Sequence, residues 1–110
     1  MGAARIKTFY QPILESCEEA SDRGASSDQI RARAAEKIGR FLTSGELKNL
    51  RTPTPHGKGN YFEWGLADLV QYEFLTKNPL YKLTAKGWRL VGRLRQNPTL
   101  QIDRPFLAQF

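Results

Sequence analysis

Apolar residues open the chain in a helical rhythm. Ile6, Phe9, Tyr10, Ile13, Leu14, Cys17 and Ala20 recur at three- and four-residue steps. That spacing predicts an amphipathic helix over residues 7–22, with Cys17 on its inward stripe. Asp22-Arg23-Gly24 should stop it, with Gly24 free to take a left-handed conformation. A second stripe, Ile30, Ala34, Ile38, Phe41 and Leu42, predicts a helix over residues 28–41. Ser26 or Ser27 can cap it, and Gln29 stands where a capping box with Ser26 requires it. Its other face carries Arg31, Arg33, Lys37 and Arg40, as a solvated face does. Thr43 and Glu46 form another box ahead of a two-turn helix.

Prolines and glycines then interrupt the pattern. "RTPTPHGKGN", residues 51–60, reads as irregular loop. Asn60, with Glu63 three residues on, starts a helix to about residue 72 whose inward stripe is Phe62, Leu66, Leu69 and Val70, with Trp64 nearby. The rhythm changes to that of a strand at "EFLT". Lys77-Asn78-Pro79 turns the chain, and "LYKL" returns. Thr84 caps a last helix over residues 85–95, with Leu90, Val91 and Leu94 apolar, and Asn97-Pro98 ends it. The predicted fold class is mainly α with a small β-hairpin, a winged helix-turn-helix over residues 1–97. Residues 98–110 form an apolar C-terminal tail that can pack on the domain, pair with another chain, or mark a junction to further sequence.

Composition narrows the class. A chain of 110 residues with 40% hydrophobic and 25% charged positions is one ordinary globular domain. No run approaches the roughly 20 apolar residues of a membrane span. The N-terminus lacks the apolar core of a signal peptide. One cysteine permits neither an internal disulfide nor a cysteine-based metal site. The expected compartment is cytoplasmic.

Charge changes the picture more. The net charge is +6, which favours an anionic partner, and nucleic acid is the commonest. Lys77, Lys82, Lys86, Arg89, Arg93 and Arg95 follow one another without an intervening acid. Residues 23–51 are also basic, whereas Glu15, Glu18, Glu19 and Asp22 make the first helix acidic. One face should therefore be far more positive than another.

The order of elements carries a resemblance. A hairpin followed by "Y-x-L-T-x-x-G", here Tyr81, Leu83, Thr84 and Gly87, is the wing pattern of many winged-helix DNA-binding proteins. "QPILE", "SSDQIRARAAEKIGRFLTSGEL" and "EWGLADLVQYEFL" narrow it. Over about residues 9–95 the chain resembles the winged-helix domain at the N-terminus of Mrr-type restriction endonucleases. The resemblance implies that the helix from Asn60 to about Tyr72 enters the major groove, with Trp64 and Leu69 matching the family's tryptophan and leucine. Tyr61 stands where the family usually has arginine, and Glu73 where it usually has glycine. Glu63, Asp68 and Glu73 make this helix acidic, with no Lys or Arg on it.

The expected DNA-binding residues are Arg51, His56 and Lys58 in the loop, Asn60 and Tyr61 at the helix start, and Lys77 and Lys82 on the wing. Double-stranded DNA is the expected partner, with a homodimer and a nuclease partner or domain compatible with the same reading. The rival is a protein-interaction or dimerisation module on the same fold. No catalytic constellation, cofactor motif or metal site is expected. "ELK" at 46–48 sits on a two-turn helix with no upstream Pro-Asp, so it does not make a nuclease centre. "HGKGN" lacks the spacing of a phosphate loop, and His56 stands alone.

Overall fold

The computed structural model describes residues 6–51 and 60–110, with the side chains of Ile6, Asn49 and Arg51 outside that description. A 3-10 turn, Ile6–Phe9, leads into α1, Tyr10–Ala20. Tyr10, Ile13, Leu14 and Cys17 are fully buried, as their spacing predicts. Burial pushes the Cys17 thiol up to about 12, which leaves it an unreactive core side chain. α1 ends at Ala20, four residues before Gly24. Ser21 takes φ 56°, and its N–H donates to the Cys17 and Glu18 carbonyls. Gly24, at φ 75°, performs the next step. It delivers Ala25 to the hairpin, and a Cβ on Gly24 would stand 3.0 Å from Leu80 Cβ and Lys82 Cγ.

Ser26 and Gln29 form the reciprocal capping box that starts α2, Ser27–Ile38. Ile30 and Ala34 enter the core. α2 ends earlier than expected, giving way to a 3-10 turn over Gly39–Phe41. The tighter turn rotates Phe41 off the inward stripe, so it is 64% exposed rather than buried. Thr43 and Glu46 make the second reciprocal box and open α3, Ser44–Arg51. Asn60 Oδ1 accepts the Glu63 N–H and starts α4, Tyr61–Gln71. Phe62, Leu66 and Leu69 of α4 are buried, and the Phe9 and Phe62 rings meet edge to face at 6.2 Å.

α4 closes with a Schellman arrangement. Phe74 N–H donates to the Leu69 carbonyl and Glu73 N–H to the Val70 carbonyl. Glu73 occupies the left-handed position, φ 69°, that glycine fills at least cost. β1, Leu75–Lys77, pairs antiparallel with β2, Tyr81–Leu83, in the register Leu75 to Leu83, Thr76 to Lys82 and Lys77 to Tyr81. Ala25 and Tyr81 exchange both backbone hydrogen bonds, at 2.9 and 2.8 Å, so the segment between α1 and α2 also touches the hairpin.

The hairpin hands the chain to α5, Ala85–Gln96, through one tight joint. Thr84 Oγ1 accepts the Gly87 N–H at 3.0 Å and donates to the Glu73 carbonyl at 2.5 Å. Thr84 N–H donates to the Phe74 carbonyl. A Cβ on Gly87 would lie 2.2 Å from that carbonyl oxygen. The residues that carry the wing resemblance thus perform packing duties: Tyr81 pairs with Ala25, Thr84 caps, and Gly87 makes room.

The tail packs on the domain. Asp103 caps α6, Arg104–Gln109, and Ile102 and Leu107 are buried. The Phe110 ring lies 5.7 Å from Phe74. The architecture is therefore mainly α with a two-stranded hairpin, the core lying between α1, α2, α4 and α5.

Gly87→Ala should lose about 3 kcal/mol or more, because backbone must move to admit the methyl group. Gly92→Ala, with nothing within 4 Å, should gain up to about 1 kcal/mol from helix propensity. Urea denaturation of both variants checks the contrast. Glu73→Gly should stabilise by about 0.5–1 kcal/mol through relief of the left-handed backbone, read from the same curves.

Candidate nucleic-acid interface

The outward side of α4 is unlike what its composition suggests. Of its acids, Asp68 is only 7% exposed. Asp68 Oδ2 accepts the Tyr10 hydroxyl at 2.6 Å and Arg104 Nε at 3.0 Å. Burial, then the Asp68 hydrogen bond, raises the Tyr10 phenol well above its ordinary range. Glu63 is half-buried and meets Arg31 Nη2 at 3.3 Å. What α4 turns to solvent is Tyr61, Trp64, Ala67 and Gln71, an uncharged stripe. The Tyr61 and Trp64 rings, each 45% exposed, meet edge to face at 5.7 Å.

Arg31 is a correction. The α2 face that carries it was expected to be solvated, yet its side chain is 7% exposed. It bonds Asp28 and Glu63 and lies 5.1 Å over the Phe62 ring. The signal was present in the sequence, since Arg31 shares the three- and four-residue register of Ala34 and Ala35, both buried.

Ion pairing divides the remaining cations. Glu19 takes Arg33 and Lys37, each at 2.6 Å, and Glu18 takes Arg95. The lysine and arginine hydrogen bonds hold the Glu19 carboxyl below its usual range despite partial burial. Lys77, Lys82, Lys86, Arg89 and Arg93 form no ion pair among the described residues. Lys77 and Lys82 are exposed on the hairpin, with Lys77 Nζ 5.5 Å from the Tyr81 ring. Lys86 Nζ donates to the Tyr72 carbonyl at the end of α4, where helix carbonyls favour a cation. Arg89 and Arg93 are exposed on α5, Arg89 beside the Phe110 ring.

The expected site residues are distributed as follows. Tyr61, Lys77 and Lys82 are exposed on α4 and on the hairpin that follows it. Asn60 stands at the same helix start, its oxygen engaged in the cap. Arg51 ends α3, its side chain outside the description. His56 and Lys58 lie outside the described residues. Sequence reasoning did not single out Trp64 or Gln71 as exposed groups of α4, and it counted the cations of α5 in the basic run but not among the site residues. Among the described residues, no helix is long and apolar enough to cross a membrane, and no three His, Cys, Asp or Glu side chains gather as metal ligands.

Compared with models of known protein families, with curated proteins and with solved structures, the chain matches none.

Asp68→Ala should cost about 1–3 kcal/mol, because it strands the buried Tyr10 hydroxyl. Arg104→Ala should cost clearly less, since that side chain is 55% exposed. Thermal melts of the two variants test the order. The depressed Glu19 carboxyl contributes stability that is present above its unfolded value of 4.5 and lost as pH falls through its lower folded value. Glu19→Gln should flatten that acid limb by less than about 1 kcal/mol, the pair being exposed. Melting temperature against pH is the check.

Proposed function

We propose that this chain is a winged helix-turn-helix domain that binds double-stranded DNA, with no catalytic activity of its own. It would act in the cytoplasm, standing alone or as the targeting module of a restriction-type system with a nuclease partner. One observation carries the reading. The acids of α1 and two of the acids near α4 are consumed by internal pairs, while α4 turns an uncharged stripe to solvent and the hairpin that follows it keeps Lys77 and Lys82 exposed and without an ion pair among the described residues. Phosphates attract such cations and repel carboxylates, which a groove-facing helix uses only where a cytosine amine meets them.

The order of elements agrees with the reading. Ala25, between α1 and α2, pairs with the return strand of the hairpin and so ties the helices to the wing. Glu73 takes a left-handed conformation, which glycine adopts at least cost, and glycine is the residue that the Mrr-type resemblance expects at that position. The grip would come from Arg51, His56 and Lys58 before α4 and from Lys77 and Lys82 on the wing. Asn60 and Tyr61 would stand at the groove. A second reading, a protein-docking or dimerisation face, is favoured by the exposed pair Tyr61 and Trp64.

Fluorescence anisotropy with a labelled duplex across salt concentrations tests the choice. About five phosphate-bound cations should give a slope of log K on log salt of about −4 to −5. Lys58→Glu/Lys77→Glu/Lys82→Glu should reduce that slope by about 3 and weaken binding at every salt. No binding at low salt, or a variant that binds as the native chain does, would sink the proposal in favour of the protein-docking face.

A further inference from the structure

We propose that the outward stripe of α4 reads A·T base pairs through their major-groove edges, an inference that rests on the DNA-binding reading above. The stripe is Tyr61, Trp64, Ala67 and Gln71. Over ten residues it runs about 15 Å, the length of about four base pairs. Each base asks for a different partner in the major groove. Guanine shows two acceptors and is read by arginine or lysine, and the stripe carries neither. Cytosine shows an amine and is read by a carboxylate. The two carboxylates of α4 are turned elsewhere, Glu63 to Arg31 and Asp68 to Tyr10 and Arg104. Thymine shows a methyl group, which an apolar surface contacts, and Trp64 and Ala67 supply one. Adenine shows a donor beside an acceptor, which the carboxamide of Gln71 matches with both of its atoms.

The arrangement is prepared before any DNA arrives. The Trp64 ring is braced edge to face by Tyr61, so it loses little freedom on contact. Gln71 sits at the end of α4, two residues before the left-handed turn at Glu73 that leads into the wing. The hairpin follows it directly in the chain, and phosphate contacts by the hairpin cations would set the register of α4 on the duplex.

The test is competition anisotropy with the full chain at one salt concentration, using four duplexes of equal length. One has a four-pair A·T core in G·C flanks, and one is entirely G·C. The third replaces thymidine in the core by deoxyuridine, which lacks the methyl. The fourth replaces adenine by 7-deazaadenine, which lacks N7. The last two leave the minor-groove edges intact. The A·T core should bind about tenfold tighter than the G·C duplex, and each modified core should lose severalfold of that preference. Trp64→Ala should blunt the response to deoxyuridine and Gln71→Ala the response to 7-deazaadenine. Both side chains are exposed, and a thermal melt verifies the fold of each variant. Equal affinity for the A·T and G·C duplexes would overturn this inference and leave DNA binding standing. A preference that survives both modifications would assign the effect to minor-groove width and overturn it too. Absence of binding to every duplex would overturn the inference together with the reading it rests on.

Discussion

The approach of Gly87 to the Phe74 carbonyl is the contact on which the arrangement depends. It sits where three elements meet: the end of α4, the hairpin, and the first turn of α5. Thr84 ties the same point from the other side. Its hydroxyl serves Glu73 and Gly87 and its N–H serves Phe74. Backbone meets backbone here, so no rotamer change can absorb an added atom. The joint sets how the hairpin stands relative to α4, and with it which side chains of the two can face a common partner.

Charge is sorted by the same packing. α1 lies against α2, and its Glu19 meets Arg33 and Lys37 across the contact. Glu18 reaches Arg95 at the far end of α5. Those cations are neutralised where they stand. The cations of the hairpin and of the first turns of α5 form no ion pair among the described residues, so their charge is left uncompensated there. Exposed ion pairs contribute little to stability individually, and their larger effect here is on where the field points.

Four helix starts were legible from their caps, while the cap of Asp103 on Phe106 starts α6 inside the apolar tail. Ser26 with Gln29, Thr43 with Glu46, Asn60 with Glu63 and Thr84 with Gly87 all start helices where the pattern places them. Helix ends were less legible. α1 closes at Ser21 rather than at Gly24, and α2 tightens at Gly39 so that Phe41 faces solvent. At Glu73 the left-handed turn lacks the glycine that would have announced it. Of the site, the wing lysines and Tyr61 were readable from charge and order. The uncharged character of the α4 face was not, because its acids are visible in sequence and their partners are not.

The sequence by itself determined α1 to α5, the hairpin and the basic run over residues 77–95, since each depends on neighbours within about four residues. Tertiary structure decided which charges remain open. Asp68 finds Tyr10 at a separation of 58 residues and Arg104 at 36, and Arg31 finds Glu63 at 32. It also decided that the apolar tail, open to several roles in sequence, covers Phe74 through Phe110. Such pairings exist only once distant segments pack, because the desolvation of a carboxylate or a guanidinium is compensated only by a partner brought to it by the core.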